Sequence, residues 1–139
     1  MIIAGVVLLP ACGYIREAEI QQKISASEAL TRLDQICSEL PHPPEFQFIY
    51  KSIFGNNRLF SVEHQFKTVN RIDFSKVKSF YLKWSKEENW TFSGGSELAG
   101  QAAEKDSLLQ FVKDNTRVSI GNGTFDYDAN YSVSCSETK

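Results

Sequence analysis

The side chains able to do chemistry near neutral pH are few and scattered. Only two histidines, His42 and His64, are available as general bases. His42 sits in a Pro41-His42-Pro43-Pro44 cluster. His64 shares an alternating face with Phe60, Val62 and Phe66, where a satisfied core or edge histidine is expected. Three cysteines, Cys12, Cys37 and Cys135, lack any Cys-x-x-Cys spacing, so zinc and redox chemistry find little support. No Gly-x-Ser-x-Gly, His-Glu-x-x-His or phosphate-binding glycine loop occurs, which removes the main hydrolase, zinc-protease and nucleotide readings. Carboxylates such as Glu63 and Asp73 are unpaired in sequence, and Lys86-Glu87-Glu88 fits a solvated helix end. Catalysis needs a nucleophile–base or acid–base constellation. None can be assembled, so a non-enzymatic chain without a cofactor is expected.

One spacing does suggest a metal. Asp126-x-Asp128-x-Asn130, with Glu137 eleven residues after Asp126, matches the oxygen-ligand positions of a helix–loop–helix calcium site. Tyr131 occupies the position where such loops need glycine for their sharp turn, and the alternation Tyr131–Val133–Cys135 favours a strand. A small-ligand or metal-binding module using Asp126–Glu137 is therefore the alternative reading. Aromatic residues offer a binding reading as well. Trp84 and Trp90 flank a helix-to-strand junction, and Tyr127 and Tyr131 bracket an acidic loop. Such residues are enriched in interface hot spots, although the same spacing is first of all a burial signal.

The elements that would position these groups follow from periodicity and breakers. Ser25 with Glu28 three residues on is a capping-box signature. Ala26, Ala29, Leu30, Leu33, Ile36, Cys37 and Leu40 then recur at helical spacing, so a helix is predicted over 25–40 with Cys37 toward the core. The prolines from Pro41 end it. Phe46 to Phe54 is apolar and suits an extended edge segment, and Gly55-Asn56-Asn57 is turn chemistry. Leu59 to Thr68 alternates as a half-buried strand, with Ser61, Glu63, Gln65 and Lys67 on its solvent side. Phe74, Val77, Tyr81 and Trp84 form the stripe of a second helix, capped by Asp73 or Ser75 and closed at Asn89. A short strand begins at Trp90 and ends at Gly94-Gly95, and 96–106 is small, polar and loop-like. Leu108–Lys113 and Thr116–Gly121 flank Asp114-Asn115, a two-residue hairpin connection. Tyr131, Val133 and Cys135 alternate in a last strand, with Cys135 on the core side. The prediction is α+β: a two-layer sandwich, an antiparallel sheet of four to five strands with two helices on one face.

Composition agrees with one packed domain. The chain has 139 residues, 42% of them apolar and 23% charged, and ten Phe, five Tyr and two Trp argue against disorder. A net charge of −2 with mixed signs supplies no basic stripe, so no nucleic-acid partner is expected.

Met1 to Gly13 carries an eight-residue apolar run, Ile2 to Leu9, leading into Leu9-Pro10-Ala11-Cys12. A bilayer span needs roughly 20 apolar residues, so this run instead fits the core of a signal peptide. It resembles the lipobox of bacterial lipoproteins. The resemblance implies a signal peptide at 1–11 that is removed, and a diacylglycerol thioether on Cys12, carrying acyl chains such as palmitate. Tyr14 to Ile24 is polar and charged with few breakers and reads as a tether or an initial helical turn, so a tether is expected over 12–24 and a single α+β domain over 25–139. Each buried methylene contributes about 0.8 kcal/mol, so two chains give a stable anchor where one is marginal. With Cys12 assigned to lipid, Cys37 and Cys135 remain as an even pair in a compartment that permits a disulfide. The second helix also resembles the F-x-x-V-x-x-F-Y … W helix of many small uncharacterised bacterial lipoproteins, a packing pattern that implies no chemistry. The expectation is a cell-envelope protein held to a membrane through Cys12, the outer membrane if the source has one. It would act by contact with an envelope protein, with an immunity or inhibitor role as one form of that contact.

Overall fold

The computed structural model describes residues 27–55, 59–70, 72–96 and 107–138. The lipobox with Cys12, the tether, the Ser25 cap, the Asn56-Asn57 turn and the 97–106 segment lie outside the described residues. No described helix is long and apolar enough to cross a membrane.

The chain is α+β, with two helices and one antiparallel sheet. In chain order these are helix α1 (27–39), strands β1 (Phe46–Gly55) and β2 (Leu59–Thr68), helix α2 (Phe74–Glu87), then β3 (Thr91–Ser96), β4 (Leu108–Lys113), β5 (Thr116–Asn122) and β6 (Tyr131–Thr138). The sheet has six strands in the order β1-β2-β6-β5-β4-β3, rather than the predicted four to five. The difference comes from its two edges. β1 is a full ten-residue strand and β3 pairs along its whole length with β4, but each carries an irregularity that breaks the alternation by which strands are recognised.

The register sorts the two faces. One row across the sheet is Phe111, Val118, Cys135, Val62 and Ile53, and the next is Leu109, Ile120, Val133, His64 and Lys51. Both helices lie on that face. The Cys37–Cys135 disulfide, with Cα atoms 5.9 Å apart, pins α1 to β6, while Trp84 of α2 packs edge-on against Phe111 of β4 at 5.7 Å. The opposite face holds short polar rows such as Gln110, Ser119, Ser134, Glu63 and Ser52.

Local sequence accounts for both helices. Ala29, Leu33 and Cys37 are the buried residues of α1, and Leu40 just past its end continues the same stripe. In α2 the predicted stripe of Phe74, Val77, Tyr81 and Trp84 is buried as a set. Asp73 occupies the N-cap position through its backbone, without a side-chain capping bond. Asn89 takes a left-handed φ of 60°, and the Trp90 N–H donates to the Ser85 carbonyl at 2.8 Å, which closes α2 in a Schellman turn. The Asp114-Asn115 hairpin joins β4 to β5 with Asp114 at φ 54°. On β3, a side chain at Gly95 would run into the Leu108 carbonyl, so only glycine lets these strands pair there.

Candidate functional site

The two histidines that are far apart in sequence meet at one cavity of about 580 Å³, lined by Ser38, His42, Phe48, Tyr50, Lys51, His64 and Phe66. β2 supplies His64 and Phe66 by alternation. β1 supplies Phe48 and Lys51 to the same face only because the register shifts between Phe48 and Tyr50, leaving Ile49 as an extra residue. Before this bulge the even-numbered residues face the helices, and after it the odd-numbered ones do. Lys51 is thereby placed opposite His64, and its Nζ donates to Asp34 Oδ2 of α1 at 2.9 Å. His64 Nε2 lies 3.4 Å from Asp34 Oδ1. The Lys51 hydrogen bond, helped by His64, holds the Asp34 carboxyl below its ordinary range against the opposing effect of burial.

His42 follows α1 on the proline cluster. Its Nδ1 pairs with the Tyr81 hydroxyl at 2.9 Å, and its ring meets Phe66 at 4.3 Å between centroids. Burial pushes the His42 imidazole down to about 4, and repulsion from His64 adds to the shift. Burial also pushes the Tyr81 phenol up, so both members of this pair are neutral at pH 7. Phe48 stands edge-on to His64 at 5.4 Å and to Phe66 at 5.9 Å, completing an aromatic wall.

Most of the titratable groups here are already engaged with one another. Asp34 is engaged by Lys51, His42 Nδ1 by Tyr81, and no hydrogen bond among the described residues joins Ser38 to either histidine. What the cavity offers is ring faces, a nearly balanced ion pair and neutral imidazole nitrogen. Phe48 leaves this cavity open on its outer side, 53% exposed; further along β1, Ile53 on the same face and Phe54 on the opposite face are 56% and 53% exposed. Tyr127, 77% exposed, stands edge-on to Tyr50 at 5.4 Å.

The calcium residues are not gathered. Asp126 and Asp128 lie in a short 3-10 turn (Asp126–Asp128), with Tyr127 and Asp128 in left-handed conformation. Asn130 is a structural latch: its Oδ1 accepts from the Thr68 N–H at 3.0 Å and its Nδ2 donates to Thr68 Oγ1 at 2.8 Å. Glu137 sits near the far end of β6, roughly 20 Å along an extended strand from Tyr131, and takes Arg32 in a two-pronged ion pair at 2.7 Å. No group of three or more His, Cys, Asp or Glu among the described residues could hold a metal ion.

The aromatic residues divide differently from their sequence pairing. Trp84 and Tyr131 belong to the core, Trp90 is half-buried and Tyr127 is exposed. Sequence reasoning missed Asp34, Lys51 and the joint placement of the histidines. The signal that was present is the switch of apolar parity within β1, from Phe46 and Phe48 to Ile53. No protein-family model matches the chain, and comparison with curated proteins and with solved structures finds no match either.

Proposed function

We propose that this chain is a lipid-anchored protein of the cell envelope, held through Cys12, whose domain is not an enzyme. It works by receiving an extended segment of a partner protein along β1. One observation carries the reading. β1 is a ten-residue edge strand with one side unpaired among the described residues, and it exposes Phe48 and Ile53 on one face and Phe54 on the other. An unpaired strand edge offers backbone donors and acceptors to an added strand, while flanking pockets select side chains. The aromatic cavity of Phe48, Phe66, His42 and His64 is such a pocket, and an apolar anchor of the partner strand fills it. An immunity or inhibitor protein that blocks an envelope enzyme or toxin would use this kind of contact.

The test is a photo-crosslinking amino acid placed at Phe54 in intact cells, with Arg117 on the opposite part of the sheet as control. The reading expects an adduct with another protein at 54 alone, lost in Ile53→Lys. Self-adducts only, or equal adducts at both positions, would overturn it. The anchor is tested separately by metabolic labelling with a palmitate analogue, where label retained by Cys12→Ala refutes lipidation at that residue.

A further inference from the structure

A second concavity, remote from β1, has a chemical character of its own. The last turn of α1 and the second half of α2 enclose a groove of about 660 Å³, within the size range of small-ligand sites. Its floor is aromatic: Phe80 and Trp84 of α2 with Trp90, the two indoles 5.3 Å apart and tilted by 31°. Ile36 of α1 and Leu40 just past its end add an aliphatic wall. The rim carries Glu39, Glu87 and Glu88 with Lys83, and the Lys113 ammonium lies beside it over Trp90.

Each part of this arrangement selects the same ligand. Indole faces attract cations through their quadrupole. Trp90 already does so, since Lys113 Nζ lies 5.9 Å from its ring centroid while donating to the Glu88 carbonyl at 3.0 Å. The apolar floor favours a methylene chain, which a bare metal ion lacks. Three carboxylates against the two ammonium groups of Lys83 and Lys113 leave the rim net negative, which disfavours an anion and favours a cation over a neutral apolar ligand. We infer that the α1–α2 groove binds an alkylammonium group, its methylenes over Trp84 and Trp90 and its charge among Glu39, Glu87 and Glu88. Two sources share this chemistry: a free polyamine, or a lysine side chain of a basic peptide.

The experiment uses the whole domain and its own tryptophans. Both tryptophans of the chain, Trp84 and Trp90, line this groove, so intrinsic fluorescence reports on it specifically. Spermidine and an acetylated tetralysine peptide are titrated in parallel, with 1,8-octanediol as an uncharged control of similar length. The inference expects saturable change with Kd below about 1 mM for one or both cations, weakening with added salt. Tighter binding of spermidine marks the polyamine as source, and tighter binding of tetralysine marks the peptide. Glu87→Gln combined with Glu88→Gln, both on exposed positions, should weaken binding about tenfold with an unchanged thermal melt. No saturable response to either cation, an equal response to octanediol, or full affinity in the double variant overturns the inference.

Discussion

Removing the disulfide is the sharpest perturbation of this fold. Cys37 and Cys135 are 98 residues apart in sequence, and both are fully buried. Cross-linking a loop of that length removes denatured-state entropy worth about 4–5 kcal/mol at 25 °C in the chain-entropy model. Whole domains are stable by only about 5–15 kcal/mol, so this single bond is a large share of the total. It also joins the helical layer to the middle of the sheet. α1 otherwise rests on the short stripe of Ala29, Leu33 and Leu40, with Arg32–Glu137 and Lys51–Asp34 as partly exposed pairs. Surface pairs of this kind contribute about 0–1 kcal/mol each and cannot replace the staple.

The double variant Cys37→Ala, Cys135→Ala should therefore lose about 3–5 kcal/mol, allowing for the spread of measured disulfide effects. At about 3–5 °C per kcal/mol for a domain of this size, Tm falls by on the order of 15 °C. Urea unfolding followed by tryptophan fluorescence gives the midpoint, and reduced wild-type protein gives an independent arm without substitution. The oxidised protein should also show the smaller urea dependence, because its cross-linked denatured state exposes less surface. A double variant that keeps the oxidised midpoint would refute the reasoning, since the staple would then contribute nothing to stability.

Three further outcomes follow from side chains at the cavity and the latch. His42 is held at about 4 in the folded state against 6.5 ordinarily. Between those values the unfolded chain binds a proton that the folded chain does not, so stability falls as pH drops from about 6.5 to 4. Urea midpoints measured across that window should slope in wild type and flatten in His42→Gln, and an unchanged slope would contradict the burial argument. Asp34 acts in a separate window, because its lowered carboxyl loses its contribution only below the ordinary value of 3.8. Asn130→Ala removes both side-chain bonds to Thr68 and leaves a backbone N–H without its partner, at a cost of about 1–3 kcal/mol. Calcium and chelator should leave the urea midpoint of wild type unmoved, since Asn130 and Glu137 are engaged by Thr68 and Arg32.

Much of the framework was legible because it is local. The α2 stripe, the left-handed Asn89, the Asp114-Asn115 hairpin and the inward Cys37 and Cys135 are each decided within a few residues of chain. What escaped depends on pairing between distant segments. The bulge at Ile49 reverses which β1 residues face the helices, and no count of apolar positions reveals where the reversal occurs. Ser61 and Gln65 were expected on a wet face but are 6% and 2% exposed. Their cross-strand neighbours on β1 are Phe54 and Tyr50, rings close enough to shelter short polar groups. The histidine cavity is nonlocal for the same reason, as its residues come from α1, the proline cluster, β1 and β2.

The two sheet edges differ in their protection, and the proposed docking along β1 rests on that difference. Edge strands are normally protected by shortness, bulges that twist them away, or an outward lysine. β3 has the first two, with six residues, a register shift between Phe92 and Gly94, and glycines that present no side chain. β1 shares the bulge but not the shortness: it has ten residues and a single charged side chain, Lys51. The bulge that brings Lys51 opposite His64 also takes it out of guard duty, because its ammonium is turned onto Asp34. The same irregularity builds the aromatic cavity and leaves exposed Phe48 and Ile53 on one face, and Phe54 on the other, without a charged gatekeeper among the described residues. An edge shaped in this way is an aggregation hazard unless something covers it. On the proposed reading, a partner strand along β1 would remove the hazard and use the pocket, and the single extra residue Ile49 accounts for both features.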